Sequence, residues 1–315
     1  MRKFILKTLS LLLIVSFLTI LGVISMHFKD IKKNGFRNMP LNNTSNSISF
    51  RAKLDHIHNS NNFKHCTFLI AGSSMSLNNI SGEIIHNRTK ECVYNISSWG
   101  FKLKEVNKFI VLTNLNNVKY IFLAFNNRDF GNSFTFNSEA TDAFLNTNKL
   151  RKIQYFISTF NIYLYNKDWE SRAKLATINN TYESLNFDTY GSVLFDNKGF
   201  VIDENRWNAN SDSTGFYIFI NQIEKLDSIC KKHRIKLLIA YLPTRVDLLT
   251  KKNITQNMFI SNVLQNKIGK SFVDLQNVRF QNNQYCDGIH LFKKGAEQIT
   301  NQIIDSLIFR GVVGF

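Results

Sequence analysis

Five short apolar runs, each ending in a polar or glycine-containing break, most constrain the fold open to this chain: Thr67-Phe68-Leu69-Ile70-Ala71, Cys92-Val93-Tyr94-Asn95-Ile96, Val118 to Phe125, Ile235 to Leu242, and Ser271 to Leu275. None shows sustained apolar/polar alternation, so each reads as a strand buried on both faces. Between them lie stretches at helical spacing: Leu103, Val106, Phe109 and Ile110; Phe216, Phe219, Ile220, Ile223, Leu226 and Cys230; and, last, Ala296, Ile299, Ile303 and Leu307. Buried strands alternating with amphipathic helices specify the α/β class, with a central parallel sheet covered on both faces. Two prolines and 14 glycines point the same way, because a many-stranded β sandwich needs more tight turns. At 315 residues the chain suits one such domain, 63–315, with a short N-terminal appendage. Residues 128–212 hold aromatics and many asparagines without a clear period beyond a helix near 150–165. They read as an insertion, placed to form a lid or substrate surface where open α/β sheets keep their sites.

Ahead of this domain, Met1-Arg2-Lys3 and Lys7 precede an uncharged apolar run from Thr8 to Met26, about as long as a bilayer-spanning helix. No small-x-small cleavage site precedes His27-Phe28-Lys29, so residues 1–28 read as an uncleaved transmembrane helix that anchors the chain, and 29–62 as a polar linker. Flanking cations do not choose an orientation, since Arg2, Lys3 and Lys7 face Lys29, Lys32, Lys33 and Arg37. A short basic N-terminus before an apolar run resembles a signal anchor, which sets the expectation of a single-pass cell-membrane protein whose main domain is extracytoplasmic.

The net charge of +16 suits an anionic partner: nucleic acid, a membrane surface or an acidic polymer. The lysines are scattered in pairs such as Lys231-Lys232 and Lys293-Lys294, with no arginine-rich arm and no nucleic-acid motif, so the charge reads as solvated surface and nucleic acid is not an expected partner. Cys66, Cys92, Cys230 and Cys286 lack metal-ligand spacing and read as buried thiols, with Cys66 and Cys92 a conceivable disulfide outside the cytoplasm. Asp55, His56 and His58, with His65 and Cys66, gather cation ligands without a spacing motif, so neither metal nor cofactor is expected.

Four polar motifs fall at strand ends or before the last helix: Gly72-Ser73-Ser74, Gly100, Asn126-Asn127 and Asp287-Gly288-Ile289-His290. A serine hydroxyl becomes a useful nucleophile only beside a base, and an imidazole base needs a partner to fix its tautomer. Ser74, His290 and Asp287 supply these three functions. The backbone N–H groups of Ser74 and Gly100 and the side-chain amide of Asn126 are donors for an oxyanion hole; Asn127 takes that place if the strand exits one residue later. Each motif has an ordinary structural reading: Gly-Ser-Ser as a loop, the asparagines as a turn, Asp287 as a cap on the last helix. Their order at successive strand ends weighs for a site. Arg245 and Asp247, after the fourth strand, either line the substrate cleft or serve as an ion pair or helix cap.

The sequence Gly-x-Ser, Gly, Asn, Asp-x-x-His resembles the four blocks of the SGNH (GDSL-like) hydrolase superfamily over roughly residues 66 to 305, with Asp287-Gly288-Ile289-His290-Leu291 and Gly295-Ala296 as the most specific stretch. Ser73 and Ala124-Phe125-Asn126-Asn127 depart from the usual Gly-Asp-Ser and Gly-x-Asn-Asp. The resemblance implies a flavodoxin-like three-layer α/β/α fold and metal-free acyl transfer, with Ser74 as nucleophile, Asp287 and His290 as catalytic dyad, and Gly100 and Asn126 completing the oxyanion hole. With its N-terminal anchor the chain is similar to the membrane-tethered branch, which includes the lipoteichoic acid D-alanylation protein and polysaccharide O-acyltransferases. That implies an esterase or O-acyltransferase acting on an acylated small molecule or cell-envelope polysaccharide beside a membrane partner protein. The competing expectation, drawn from the altered third block, is a catalytically silent tethered binding subunit.

Overall fold

The structure, a computed structural model, describes residues 7–19, 44–130, 134–146, 162–178, 183–196 and 214–314. It divides into two compact units, Met1–Pro40 and Leu41–Phe315. In the first, residues 7–19 form a helix (α1) whose leucines, among them Leu9, Leu13 and Leu18, are exposed. Among the described residues no helix is long and apolar enough to cross a membrane. The rest of the expected 1–28 anchor, at 1–6 and 20–28, lies outside them.

The second unit is built on five parallel strands: β1 (Phe68–Ala71), β2 (Val93–Asn95), β3 (Tyr120–Phe125), β4 (Lys236–Tyr241) and β5 (Phe272–Asp274). Their order is β2-β1-β3-β4-β5. Every expected strand is present with trimmed ends, and the parallel α/β class is as read from the sequence. Registers such as Phe68↔Val93 and Phe122↔Leu238 align the strands so that their C-terminal ends share one rim.

Side chains alternate across this sheet. Phe68, Ile70, Phe122, Ala124, Leu238 and Val273 join one core with Ala296, Ile299, Ile303 and Leu307 of the last helix. On the other face Phe125 meets Phe219 with ring centroids 4.8 Å apart. The helices concerned are α4 (Ser74–Asn79) and α5 (Gly82–Thr89) after β1, α6 (Leu103–Leu112) after β2, α7 (Ser138–Asn146), α8 (Ile162–Thr177), α9 (Thr214–Lys232) before β4, α10 (Lys251–Ile268) before β5, and α11 (Lys293–Phe309).

The segment 29–62 is not all linker. From Ser45, which bridges to Phe136, the chain enters two helices, α2 (Ile48–Asn59) and α3 (Asn61–Lys64). The α2 helix buries Phe50, Leu54 and Ile57, and with them Lys53. A buried ammonium needs acceptors in place of water: Lys53 Nζ donates to Asn95 O at 3.0 Å and to Gly191 O, and lies 4.0 Å from the centre of the Phe187 ring. Burial holds its pKa well below the ordinary lysine value, against the pull of Asp188. Arg51 and Arg172 both pair with Asp168, fastening α2 to α8.

The 128–212 insertion is in part integral to the domain. The helix expected near 150–165 lies mostly outside the described residues, and α8 begins at Ile162. Residues 188–196 are laced to the sheet rim: Tyr190 O accepts from Asn95 N–H at 2.7 Å, Val193 N–H donates to Leu77 O at 3.1 Å, and Phe195 O accepts from Lys293 N–H at 2.7 Å. Val193 and Phe195 then pack with Leu77, Cys286 and Phe292.

Candidate active site

Ser74 stands at the first position of α4, directly past the C-terminal end of β1. The turn between them depends on Gly72, whose φ of +146° lies where side chains rarely go and whose Cβ, if present, would run into Ser76 Oγ. Ser73 caps the helix, its side chain accepting from Met75 N–H at 3.1 Å. Ser76 Oγ lies 3.0 Å from Ala71 O and 2.8 Å from Ala124 O, and accepts from Ala124 N–H at 2.9 Å. The helix that begins with Ser74 is thereby stitched to the end of β3.

Although 216 residues separate them, Ser74 Oγ and His290 Nε2 lie 2.9 Å apart. His290 Nδ1 lies 2.7 Å from Asp287 Oδ2, while Asp287 Oδ1 accepts from the N–H groups of Ile289 and His290, both at 2.7 Å. Asp287 is fully buried and His290 nearly so. Burial by itself would raise the Asp287 carboxyl; the His290 charge, its ring hydrogen bond and the two backbone donors outweigh it and hold the pKa below the ordinary carboxylate value. An ionised Asp287 accepts only, so Nδ1 carries a proton, and in the neutral ring that leaves Nε2 bare toward the Ser74 hydroxyl. That is the tautomer a general base requires.

The Asp287 turn closes on itself through Cys286 N–H to His290 O at 2.8 Å, and Arg245 N–H holds Gly288 O at 2.9 Å. Asp287 does not cap the last helix, whose N-cap is Phe292. Arg245 Nε meets Asp247 Oδ1 at 2.8 Å, so these two residues form an ion pair. Because the Asp287 carboxyl ionises at lower pH folded than unfolded, its stabilising contribution is complete above the unfolded value, about 3.9, and is lost as pH falls through the folded value. A protonated carboxyl is nearly isosteric with a carboxamide. The unfolding free energies of wild type and Asp287→Asn, measured by urea titration, are therefore expected to keep a constant gap above about pH 4 and to converge only as pH falls further, toward and through the folded value; a gap that held constant down to the lowest pH at which the protein stays folded would count against the ionised dyad.

The oxyanion candidates follow from strand order. Gly100 lies past β2 and Asn126 directly past β3, the two neighbours of β1. Ser98 N–H donates to Gly72 O at 3.2 Å, joining the Gly100 loop to the Ser74 turn. Gly100 has φ +65°, a left-handed conformation in which a side chain is strained even though the space is open. Asn126 is buried. The alternative, Asn127, has its carboxamide engaged elsewhere: Nδ2 lies 2.5 Å from Asn257 Oδ1, and Oδ1 accepts from the Tyr241 hydroxyl.

The chain matches no protein-family model and no curated protein.

The metal alternative near α2 is drawn into separate contacts. His56 Nδ1 lies 2.5 Å from the Tyr94 hydroxyl, Asp55 reaches Arg172 at 3.6 Å, and the His58 ring meets Phe144. All four cysteines are free thiols, so Cys66 and Cys92 are not bonded. Burial pushes the Cys66 thiol up to about 12.

Several residues around the triad carry no sequence signal. Asn79, the last residue of α4, donates from Nδ2 to Ile289 O at 3.1 Å and accepts at Oδ1 from Leu291 N–H at 2.8 Å, gripping the backbone on both sides of His290. Phe195, from the insertion, sets its ring edge-on to His290 with centroids 6.3 Å apart. Asp129 accepts from Asn126 N–H.

Proposed function

We propose that this protein is a serine-dependent acyl-transfer enzyme of the SGNH type, an O-acyltransferase or esterase, tethered to the cell membrane by its N-terminal apolar run with its main domain outside the cytoplasm. The observation that carries the reading is the continuous line from Ser74 Oγ through both nitrogens of His290 to the buried Asp287, at 2.9 and 2.7 Å. The strand order 2-1-3-4-5, with motifs at the carboxyl ends of its strands, supports a flavodoxin-like three-layer arrangement.

In the first half-reaction Ser74 Oγ attacks the acyl carbonyl and its proton passes to His290 Nε2. Negative charge on the carbonyl oxygen is met by the N–H groups of Ser74 and Gly100 and the amide of Asn126. The bond to the donor's leaving group breaks as His290 returns the proton to it. In the second half, His290 takes a proton from an incoming hydroxyl as its oxygen attacks the acyl-enzyme; the bond from the acyl carbon to Ser74 Oγ then breaks as His290 passes that proton to Oγ. The same residues serve whether that hydroxyl belongs to water or to a cell-envelope carbohydrate, our preferred acceptor class.

The test is covalent trapping. Full-length protein treated with a fluorophosphonate is expected to gain one adduct by intact mass, mapping to Ser74. Folded wild-type protein that takes up no label would sink the enzyme reading and favour the silent tethered binding subunit.

A further inference from the structure

We propose that Asp129 is a positioning residue for the oxyanion side of the site, holding the Asn126 turn in place beside the turn that carries Ser74; the inference rests on the acyl-transfer reading above. Asn126 is the residue at which β3 stops and the chain enters a one-turn 3₁₀ helix, Asn127–Phe130. Two opposed hydrogen bonds fix it there. Its N–H donates to Asp129 Oδ2 at 3.0 Å, and its carbonyl accepts from Asp129 N–H at 3.0 Å. With its backbone clamped from both sides, Asn126 is confined to one orientation at the strand end.

A carboxylate three residues into a helix that reaches back to the preceding N–H is an ordinary helix-capping device. Asp129 has neighbours that such a cap does not need. The Ser73 hydroxyl and the charges of Lys102 and His290 all favour its ionised form. Burial raises its pKa; Lys102, the Ser73 hydroxyl, the Asn126 N–H and His290 oppose that rise. One carboxylate thus holds the candidate oxyanion donor by hydrogen bond while it feels the Ser73 hydroxyl and the charges of His290 and of Lys102, the N-cap of the helix that follows the Gly100 loop. A donor aimed at developing charge must be held to within about 0.5 Å, and losing one outright costs roughly a hundred- to a thousandfold in rate. A loosened Asn126 forfeits part of that.

The experiment uses full-length protein and measures the maximal fluorophosphonate labelling rate and the concentration giving half of it, for wild type, Asp129→Ala, Asp129→Asn, Asn126→Ala and the Asp129→Ala/Asn126→Ala double variant. Asp129→Ala is expected to slow the maximal rate about tenfold or more while leaving the half-saturating concentration within about twofold. Asp129→Asn, whose carbonyl oxygen still accepts from the Asn126 N–H, recovers most of that loss. Because Asp129 acts through Asn126, the double variant is expected to label no more slowly than Asn126→Ala alone. If Asp129→Ala does not fold, Asp129→Ser, one bond too short to reach the Asn126 N–H, carries the same expectation. Labelling at the wild-type rate in folded Asp129→Ala, or losses that multiply in the double variant, overturns the proposal and leaves Asp129 a helix cap. Wild-type protein that never labels removes the acyl-transfer reading and this inference together, an outcome distinct from either.

Discussion

Ser74→Ala and His290→Ala are each expected to abolish turnover of a short-chain nitrophenyl ester, by about 10⁴- to 10⁶-fold in kcat, and the double variant to be no worse than either alone. On the acyl-transfer reading, neither residue does its part without the other. The Ser74 hydroxyl is no nucleophile until Nε2, 2.9 Å away, takes its proton, and a base with no hydroxyl in reach has nothing to activate. Asp287→Ala is expected to cost about 10⁴-fold, because it removes the group that holds the productive tautomer and leaves both reacting atoms in place. Residual turnover above the solvent rate then comes from the oxyanion donors. Losses that multiplied, or a Ser74→Ala variant that kept more than a few per cent of activity, would show that another group does the chemistry.

How much of this was legible in the sequence varied with what each element buries. The strands could be read because both their faces are covered, so Phe68 to Ala71 or Leu237 to Tyr241 appear as unbroken apolar runs. The α10 helix left no such trace: its buried face is largely Asn253, Asn257 and Ser261, with Ile260 and Leu264, and Asn257 is occupied by Asn127, Tyr241 and Gln276. In α2 the spacing of Phe50, Leu54 and Ile57 was available, but the Asn, Ser and Lys around it read as solvated, and a buried Lys53 runs against the pattern. The site divides along the same line. Ser74, Gly100, Asn126, Asp287 and His290 are motifs in the chain, and strand order alone brings the first three to one rim. Ser76, Asn79 and Asp129 act by hydrogen bonds that only the folded arrangement defines, and Phe195 enters from a segment with no period to place it.

Asn79→Ala is expected to damage stability and catalysis together, and the link between the two is geometric. The α4 helix has Ser74 at one end and Asn79 at the other, so a single rigid turn and a half sets the distance between Ser74 and the point where the His290 loop is gripped. Asn79 is buried, and its carboxamide serves Ile289 O and Leu291 N–H, the groups flanking His290. Truncation strands both backbone groups away from water at roughly 1–3 kcal/mol each and opens a cavity, so a loss of about 3 kcal/mol is expected by urea denaturation. The loop, freed at two points, lets His290 drift. A displacement near 1 Å is enough to cost about a hundredfold, and that loss is expected in kcat per folded molecule, measured well below the midpoint of unfolding, with KM little changed. A variant that was less stable yet turned over at the wild-type rate when folded would mean that the Asp287–His290 turn, closed by its own hydrogen bonds and by Arg245 N–H, keeps its position without help from the nucleophile's helix.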